Sequence, residues 1–346
     1  MRSAGLIDLQ VNGFAGVDFN SVALTAEALD HALRAMLCTG VTNCLPTLIT
    51  APEDVLAARF AALDAAIAGS RLGPVMVPGY HLEGPFLNPA PGYAGCHPPE
   101  AMVAADAGLL ERVAARLRRP ILLLTLAPER PGAEGLIDWA CARGTLVAIG
   151  HSAAGVAEVA RAAELGAVLS THLGNGLPHL LPKFENPLLA QLAEDRLSAS
   201  FIADGIHIPP FALKALLRAK GLARSILVTD ATSGAAAPAG RYELAGMAIE
   251  RSADGAVRVP GASVLAGSSL ELDQAVRNVV AWGIATGDAA IGLASANPAA
   301  LLAPALVAHR VRLAEGTIEW SLELRPVSVR ADNVVWCLSD GEAVVR

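Results

Sequence analysis

Residues 74–84, "PVMVPGYHLEG", begin as an apolar run and end on a histidine, a glutamate and a glycine. The apolar half reads as a buried strand. The second half places His81 and Glu83 at the strand's C-terminal end, where Gly84 and Pro85 turn the chain away. A carboxylate is costly inside an apolar core but not at a mouth that water reaches. Glu83 therefore points to a sheet whose strand ends open onto one polar face.

The same pattern recurs along the chain. Eight runs read as strands: 6–13, 42–50, 74–84, 121–129, 145–152, 167–175, 197–207 and 225–231. Helical stretches such as "TAEALDHALRAMLCTG" and "PPFALKALLRAKG" separate them. Continuous apolar strands alternating with helices indicate a parallel sheet covered on both faces. Eight such units predict an α/β fold, a closed (β/α)8 TIM-type barrel. An open doubly wound sheet is the alternative, but no GxGxxG follows the first strand. Residues 233–266 break the rhythm, and the "ADGA" turn predicts a β-hairpin insertion after strand eight. The tail reads as short strands with turns. The expected division is a barrel over 1–309 and a small, reduced C-terminal β appendage over 310–346.

Apolar residues make up 53% of the 346 and charged residues 17%, so the chain can bury a large core. Net charge is −7 and no basic stretch occurs, which argues against a nucleic-acid partner. No signal-peptide h-region opens the sequence, and no uninterrupted apolar run of about 18 residues suggests a membrane span. The five cysteines (Cys38, Cys44, Cys96, Cys141, Cys337) form no CxxC pair and read as reduced thiols of a cytoplasmic protein.

Polar residues foreign to a core gather at the predicted strand ends: Asp8, Gln10 and Asn12; His81 and Glu83; His151; His172 and Asn175; Asp204 and His207; Asp230. In a barrel those ends meet on one face. Glu83, His151 and His172 supply one oxygen and two nitrogens, a set suited to zinc or another borderline divalent ion with a position left for water. Such an ion acidifies its water toward neutrality. Asp230 is then the expected general base, and afterwards the acid that protonates a leaving group. Asp8 is read as a brace at the barrel mouth, Asp204 as the partner of His207, His81 as a support for the metal site and Cys96 as a small buried thiol.

The ordered set "IDLQVNG", "HLEGPFLNP", "GHSAA", "THLGNG", "FIADGIHI", "LVTDAT" and "LAGSSLELDQAVRN" resembles the N-acetylglucosamine-6-phosphate deacetylases of the amidohydrolase superfamily over about residues 5–300. The resemblance implies hydrolysis of the acetamide of N-acetylglucosamine 6-phosphate to glucosamine 6-phosphate and acetate. It implies one divalent metal ion, zinc ahead of iron, cobalt or manganese, on Glu83, His151 and His172. It implies Asp230 as the catalytic acid and base, and His97 and His207 as substrate-binding histidines, His97 polarising the acetyl carbonyl. Asn175 and Gly176 would present backbone N–H groups to the substrate. Gln10 and Asn12 stand where many amidohydrolases carry HxH, and strand four has no lysine for a bridging carbamate; both indicate one metal rather than two. Lys183 stands near the place of the family's phosphate-binding arginine, which the neighbouring subunit contributes, so a homodimer is implied. Relatives usually have a longer segment before the first barrel strand, so the C-terminal strands are expected to lack their usual partners. The alternatives are an amidohydrolase acting on another acetamido sugar or an N-acyl amino acid, and a non-catalytic sugar-phosphate-binding barrel.

Overall fold

The computed structural model describes residues 1–262, 264–337 and 343–345, with the side chains of 337 and 343–345 left aside. Eight parallel strands form the barrel: Leu6–Val11, Val41–Ile49, Tyr80–Glu83, Ile121–Leu126, Leu146–Ile149, Ala167–Ser170, Ser198–Ile202 and Ser225–Val228. They are called strands one to eight below. Each falls within or against a predicted run. Their side chains are almost all buried, as both faces of a barrel sheet require. Helices between them form the outer layer. Ala26–Cys38, for example, is capped by Thr25, whose hydroxyl accepts from the Ala28 N–H, and turns Leu29, Leu33 and Leu37 inward.

Strands eight and one meet just beyond the end of strand eight. Asp230 N donates to Gln10 O at 2.9 Å, Asn12 N donates to Ala231 O at 2.7 Å, and Val11 bridges Ala231 in parallel. Asp8 strengthens this seam from inside, accepting from Thr229 N at 3.2 Å and pairing with the Thr229 hydroxyl at 2.5 Å.

The approach to strand three differs from its prediction. Gly73–Met76 is a single helical turn with proline in its first positions, and the strand starts only at Tyr80. Proline's fixed φ suits the start of a helix, and an apolar run alone does not separate a short helix from a strand.

The insertion after strand eight holds three antiparallel strands, one more than the expected hairpin: Gly240–Leu244, Met247–Arg251 and Val257–Arg258. Ala245 and Gly246, both with positive φ, make the tight turn between the first two. Leu244, Ile249 and Val257 pack with Ile49 and Ala266, anchoring the insertion over the barrel mouth.

The C-terminal strands do not lack an N-terminal partner. Arg2–Ala4 pairs antiparallel with Gly316–Trp320, at the edge of a five-stranded sheet continued by Pro326–Ala331, Val334–Cys337 and Ala343–Val345. Three residues before strand one are enough to make the pairing. Buried Ile318, Val329 and Trp336 join this sheet to the barrel core. The stretch Gly287–His309 is long and apolar enough to cross a membrane, with a mean hydropathy of 1.6. It is two helices, Gly287–Ala294 and Ala296–His309, and Ile291, Leu293 and Leu302 are buried in the barrel's core.

Candidate active site at the barrel mouth

Glu83, the last residue of strand three, has three imidazoles turned toward its carboxylate. His172 Nε2 lies 2.9 Å and His151 Nε2 3.3 Å from Oε1, while His97 Nε2 lies 3.7 Å from Oε2. The ligand atoms of Glu83, His97 and His151 lie within 4.8 Å of one another. All four side chains are buried. The sequence reading brings Glu83, His151 and His172 together, and the structure adds His97 to the same carboxylate.

Backbone geometry aims these groups. His151, His172 and Asp230 are each the second residue past a strand end, and each is left-handed, with φ of 50°, 31° and 49°. A non-glycine residue there costs roughly 1–3 kcal/mol and persists only where its surroundings hold it. The reversal swings each side chain from the strand axis into the mouth. Gly84 does the equivalent after Glu83: its φ is 85°, and a Cβ there would lie 2.1 Å from Thr50 Oγ1.

The ring nitrogens have distinct environments. His151 Nδ1 lies 2.7 Å from the Tyr93 carbonyl, which only accepts, so Nδ1 carries a proton. His97 Nδ1 lies 2.9 Å from the Thr50 hydroxyl, which can donate or accept. His172 Nδ1 is buried without a hydrogen-bond partner.

Charge is balanced within the cluster. Burial pushes Glu83 up, but hydrogen bonds from His151 and His172 and the charge of His97 hold it well below the usual carboxylate range. Burial opposes a charge on His172, yet its bond to Glu83 raises it above the ordinary imidazole value. Glu83, His97 and His151 offer one oxygen and two nitrogens that could hold a borderline metal ion, and His172 Nε2 stands beside the same carboxylate.

Asp230 is the second carboxylate of the mouth. Gln10 Nε2 stands 3.2 Å from Glu83 Oε2 and 3.1 Å from Asp230 Oδ1, and Asn12 Nδ2 donates to the same Asp230 oxygen at 2.7 Å. The amides of strand one thus separate and satisfy two negative groups. This bridge is invisible in sequence, because it depends on strands one, three and eight meeting. Burial, reinforced by Glu83, pushes Asp230 up to about 6, against the pull of His172, His207 and Asn12.

The mouth opens into a cavity of about 550 Å³ lined by Asn12, His97, His207, Asp230, Asn175 and Gly176 among others. His207 Nδ1 pairs with Asp204 Oδ2 at 2.6 Å, which holds Asp204 below its usual range despite burial. Leu177, Leu181, Leu188 and, from the insertion, Leu244 also line it. The sequence reading missed them, since loop leucines carry no motif. Lys183 is exposed, its ammonium 5.2 Å from the Phe184 ring, and is not among the lining residues; no lysine or arginine is among the described ones. His81 makes no hydrogen bond to Glu83, His151 or His172. Its ring bonds Thr47 at 3.2 Å and Thr125 at 2.8 Å, one layer deeper in the barrel, and burial lowers it to about 4. Cys96 lines the cavity with its thiol pushed up to about 12 by burial and the nearby carboxylates.

A closed α/β barrel with imidazoles and two carboxylates at the C-terminal ends of its strands has the build of an amidohydrolase. Comparison with known proteins narrows the class. The chain is 35% identical over 297 residues to an N-acetylgalactosamine-6-phosphate deacetylase of Escherichia coli O157:H7, spanning 86% of this chain and 76% of that protein. It is 33% identical over 332 residues to an N-acetylglucosamine-6-phosphate deacetylase of Danio rerio, spanning 92% and 78%. A solved mutant of the N-acetyl-D-glucosamine-6-phosphate deacetylase of Mycobacterium smegmatis, in complex with N-acetyl-D-glucosamine-6-phosphate, aligns with a TM-score of 0.85 at 27% identity, covering all of this chain and 87% of that one. No family model matches. The chain belongs to the N-acetylglucosamine- and N-acetylgalactosamine-6-phosphate deacetylase family, hydrolases of carbon–nitrogen bonds other than peptide bonds.

Proposed function

We propose that this protein hydrolyses the acetamide of N-acetylglucosamine 6-phosphate, releasing acetate and glucosamine 6-phosphate. The observation that carries this reading is the convergence of three imidazole Nε2 atoms on Glu83, with Asp230 one amide away. Glu83, His151 and His172 would hold one divalent ion, zinc in the first instance. His151 and His172 both stand beside Oε1 of Glu83. When bound, such an ion lowers the pKa of a water and polarises an amide carbonyl.

The chain's own residues supply the rest. Asp230, ionised above about pH 6, accepts a proton from a water at the mouth and returns it to the departing sugar amine. The Thr50 hydroxyl is 2.9 Å from His97 Nδ1 and 3.3 Å from the Glu83 carbonyl oxygen. His97 would polarise the acetyl carbonyl. His207, turned by Asp204, and the backbone N–H groups at Asn175 and Gly176 would position the sugar. Lys183 would reach the phosphate of a second subunit in a homodimer, in keeping with exposed Leu180 and Phe184 beside it. The unpaired thiols Cys38, Cys44, Cys96 and Cys141 favour a reducing, cytoplasmic setting.

The test is acetate release from the 6-phosphates of N-acetylglucosamine and N-acetylgalactosamine, from unphosphorylated N-acetylglucosamine and from N-acyl amino acids. It is run after chelation and after zinc is restored. Turnover that prefers the glucosamine phosphate and returns with zinc is expected. Preference for acyl amino acids, or activity indifferent to chelation, contradicts the reading.

A further inference from the structure

Glu129 follows strand four by three residues and is not among the residues lining the cavity. Its carboxylate accepts three neutral donors. Oε1 accepts from Asn88 Nδ2 at 2.9 Å and from Ala153 N at 2.6 Å, and Oε2 accepts from the Ser152 hydroxyl at 2.7 Å. Among the described residues no cation pairs with it. Asn88 lies in the loop after strand three; Ser152 and Ala153 immediately follow His151 in the loop after strand five.

The same two loops are tied at other points. Asn88 N donates to His151 O at 3.0 Å, and His151 Nδ1 donates to Tyr93 O at 2.7 Å. Ser152 Oγ, while donating to Glu129, also accepts from Ala154 N at 3.0 Å. The loop that begins at Asn88 ends at His97, whose ring centroid is 4.5 Å from that of His151. His151 sits in a left-handed conformation that its own residue type does not favour. Something outside the cavity has to hold it there, and Glu129 accepts from the two residues that come next.

We propose that Glu129 is the positioning residue of this site: one carboxylate from strand four clamps the loops that carry His97 and His151 and so sets their spacing over Glu83. Its neutral donors fit that task. The clamp acts on the metal site through His151, and to that extent the inference rests on the proposed function.

The test uses the full chain with zinc alone as the probe. In Glu129→Ala the dissociation constant for zinc, measured by competition with a chelating dye, is expected to rise about 10–100-fold, the usual effect of removing a partner behind a ligand. Glu129→Gln, which keeps an acceptor for Ala153 N and Asn88, is expected to recover most of that loss. In a His151→Ala background, Glu129→Ala is expected to add little. Should Glu129→Ala not fold, Asn88→Ala cuts one arm of the clamp and is expected to weaken zinc several-fold. Amide exchange of the metal-free protein gives a second readout, with faster exchange expected at Ala153 and across 88–97 in the alanine variant. Unchanged zinc affinity in a folded variant, or an equal loss in the His151→Ala background, overturns the proposal. A wild-type protein that binds no zinc refutes the metal reading, and amide exchange then decides the clamp: faster exchange supports it and unchanged exchange overturns it.

Discussion

Asn12 Nδ2 donates to Asp230 Oδ1 at 2.7 Å, a bond from the end of strand one to the residue beyond strand eight. The bond favours the ionised carboxylate and so opposes the burial and the Glu83 charge that raise Asp230 to about 6. A general base works only when deprotonated, so kcat/KM is expected to fall as pH drops through that value. Asn12→Ala removes a donor to a charged group, which shifts the limb upward by about one pH unit. A pH profile of kcat/KM for the two proteins checks this. A downward or absent shift would remove Asp230 from the role of base.

Gly176 has a φ of 61°, and a Cβ there would lie 2.7 Å from His151 Nδ1 and 2.9 Å from Cε1. Gly176→Ala is therefore both strained and in collision with a proposed ligand. It is expected to lose about 1 kcal/mol or more of stability from the backbone alone and to bind zinc more weakly than the wild type. Urea unfolding and zinc titration separate the two effects.

Thr50→Val deletes the hydroxyl facing His97 Nδ1. If His97 serves as a carbonyl donor, kcat falls by about ten- to a hundredfold, somewhat less than direct loss of such a donor, and zinc content stays the same. A valine variant that loses its zinc instead assigns His97 to the metal, in the grouping of Glu83, His97 and His151.

Asp8 is raised to about 7, chiefly by burial, against the hydrogen bonds it accepts from Thr229 and Gln10. Its folded pKa lies above its unfolded one, so the native state binds the extra proton. Stability from this group is complete below about pH 4 and is lost as pH rises toward 7. Asn mimics the protonated acid, with Oδ1 accepting the two backbone N–H groups and Nδ2 donating to the Thr229 hydroxyl. Asp8→Asn is expected to gain stability relative to wild type between pH 4.5 and 7.5, as read by urea unfolding at both. A difference that does not change with pH contradicts a neutral Asp8.

The barrel was legible because its strands are unbroken apolar runs and their polar exceptions fall at one end. Glu83, His151, His172 and Asp230 stood out as such exceptions, so their convergence could be read from order alone. Other features depend on three-dimensional meetings that no local pattern encodes. Gln10 touches two carboxylates only because strands one, three and eight converge. His81 lies two residues before Glu83 on the same face of the strand, which places it a layer below, between Thr47 and Thr125. The helical turn at Gly73–Met76 was misread because proline and hydrophobicity suit either element. The cavity's apolar walls come from the 177–188 loop and the insertion, whose leucines look like any others.

The most direct measurement is acetate release from N-acetylglucosamine 6-phosphate by the zinc-loaded wild type and by Asp230→Asn, with bound metal quantified in both. The wild type is expected to turn over. The variant is expected to keep its metal and lose about 10²–10⁴-fold in kcat, the usual contribution of a positioned acid–base group. An Asp230→Asn protein that retains both its metal and its wild-type rate would contradict the account.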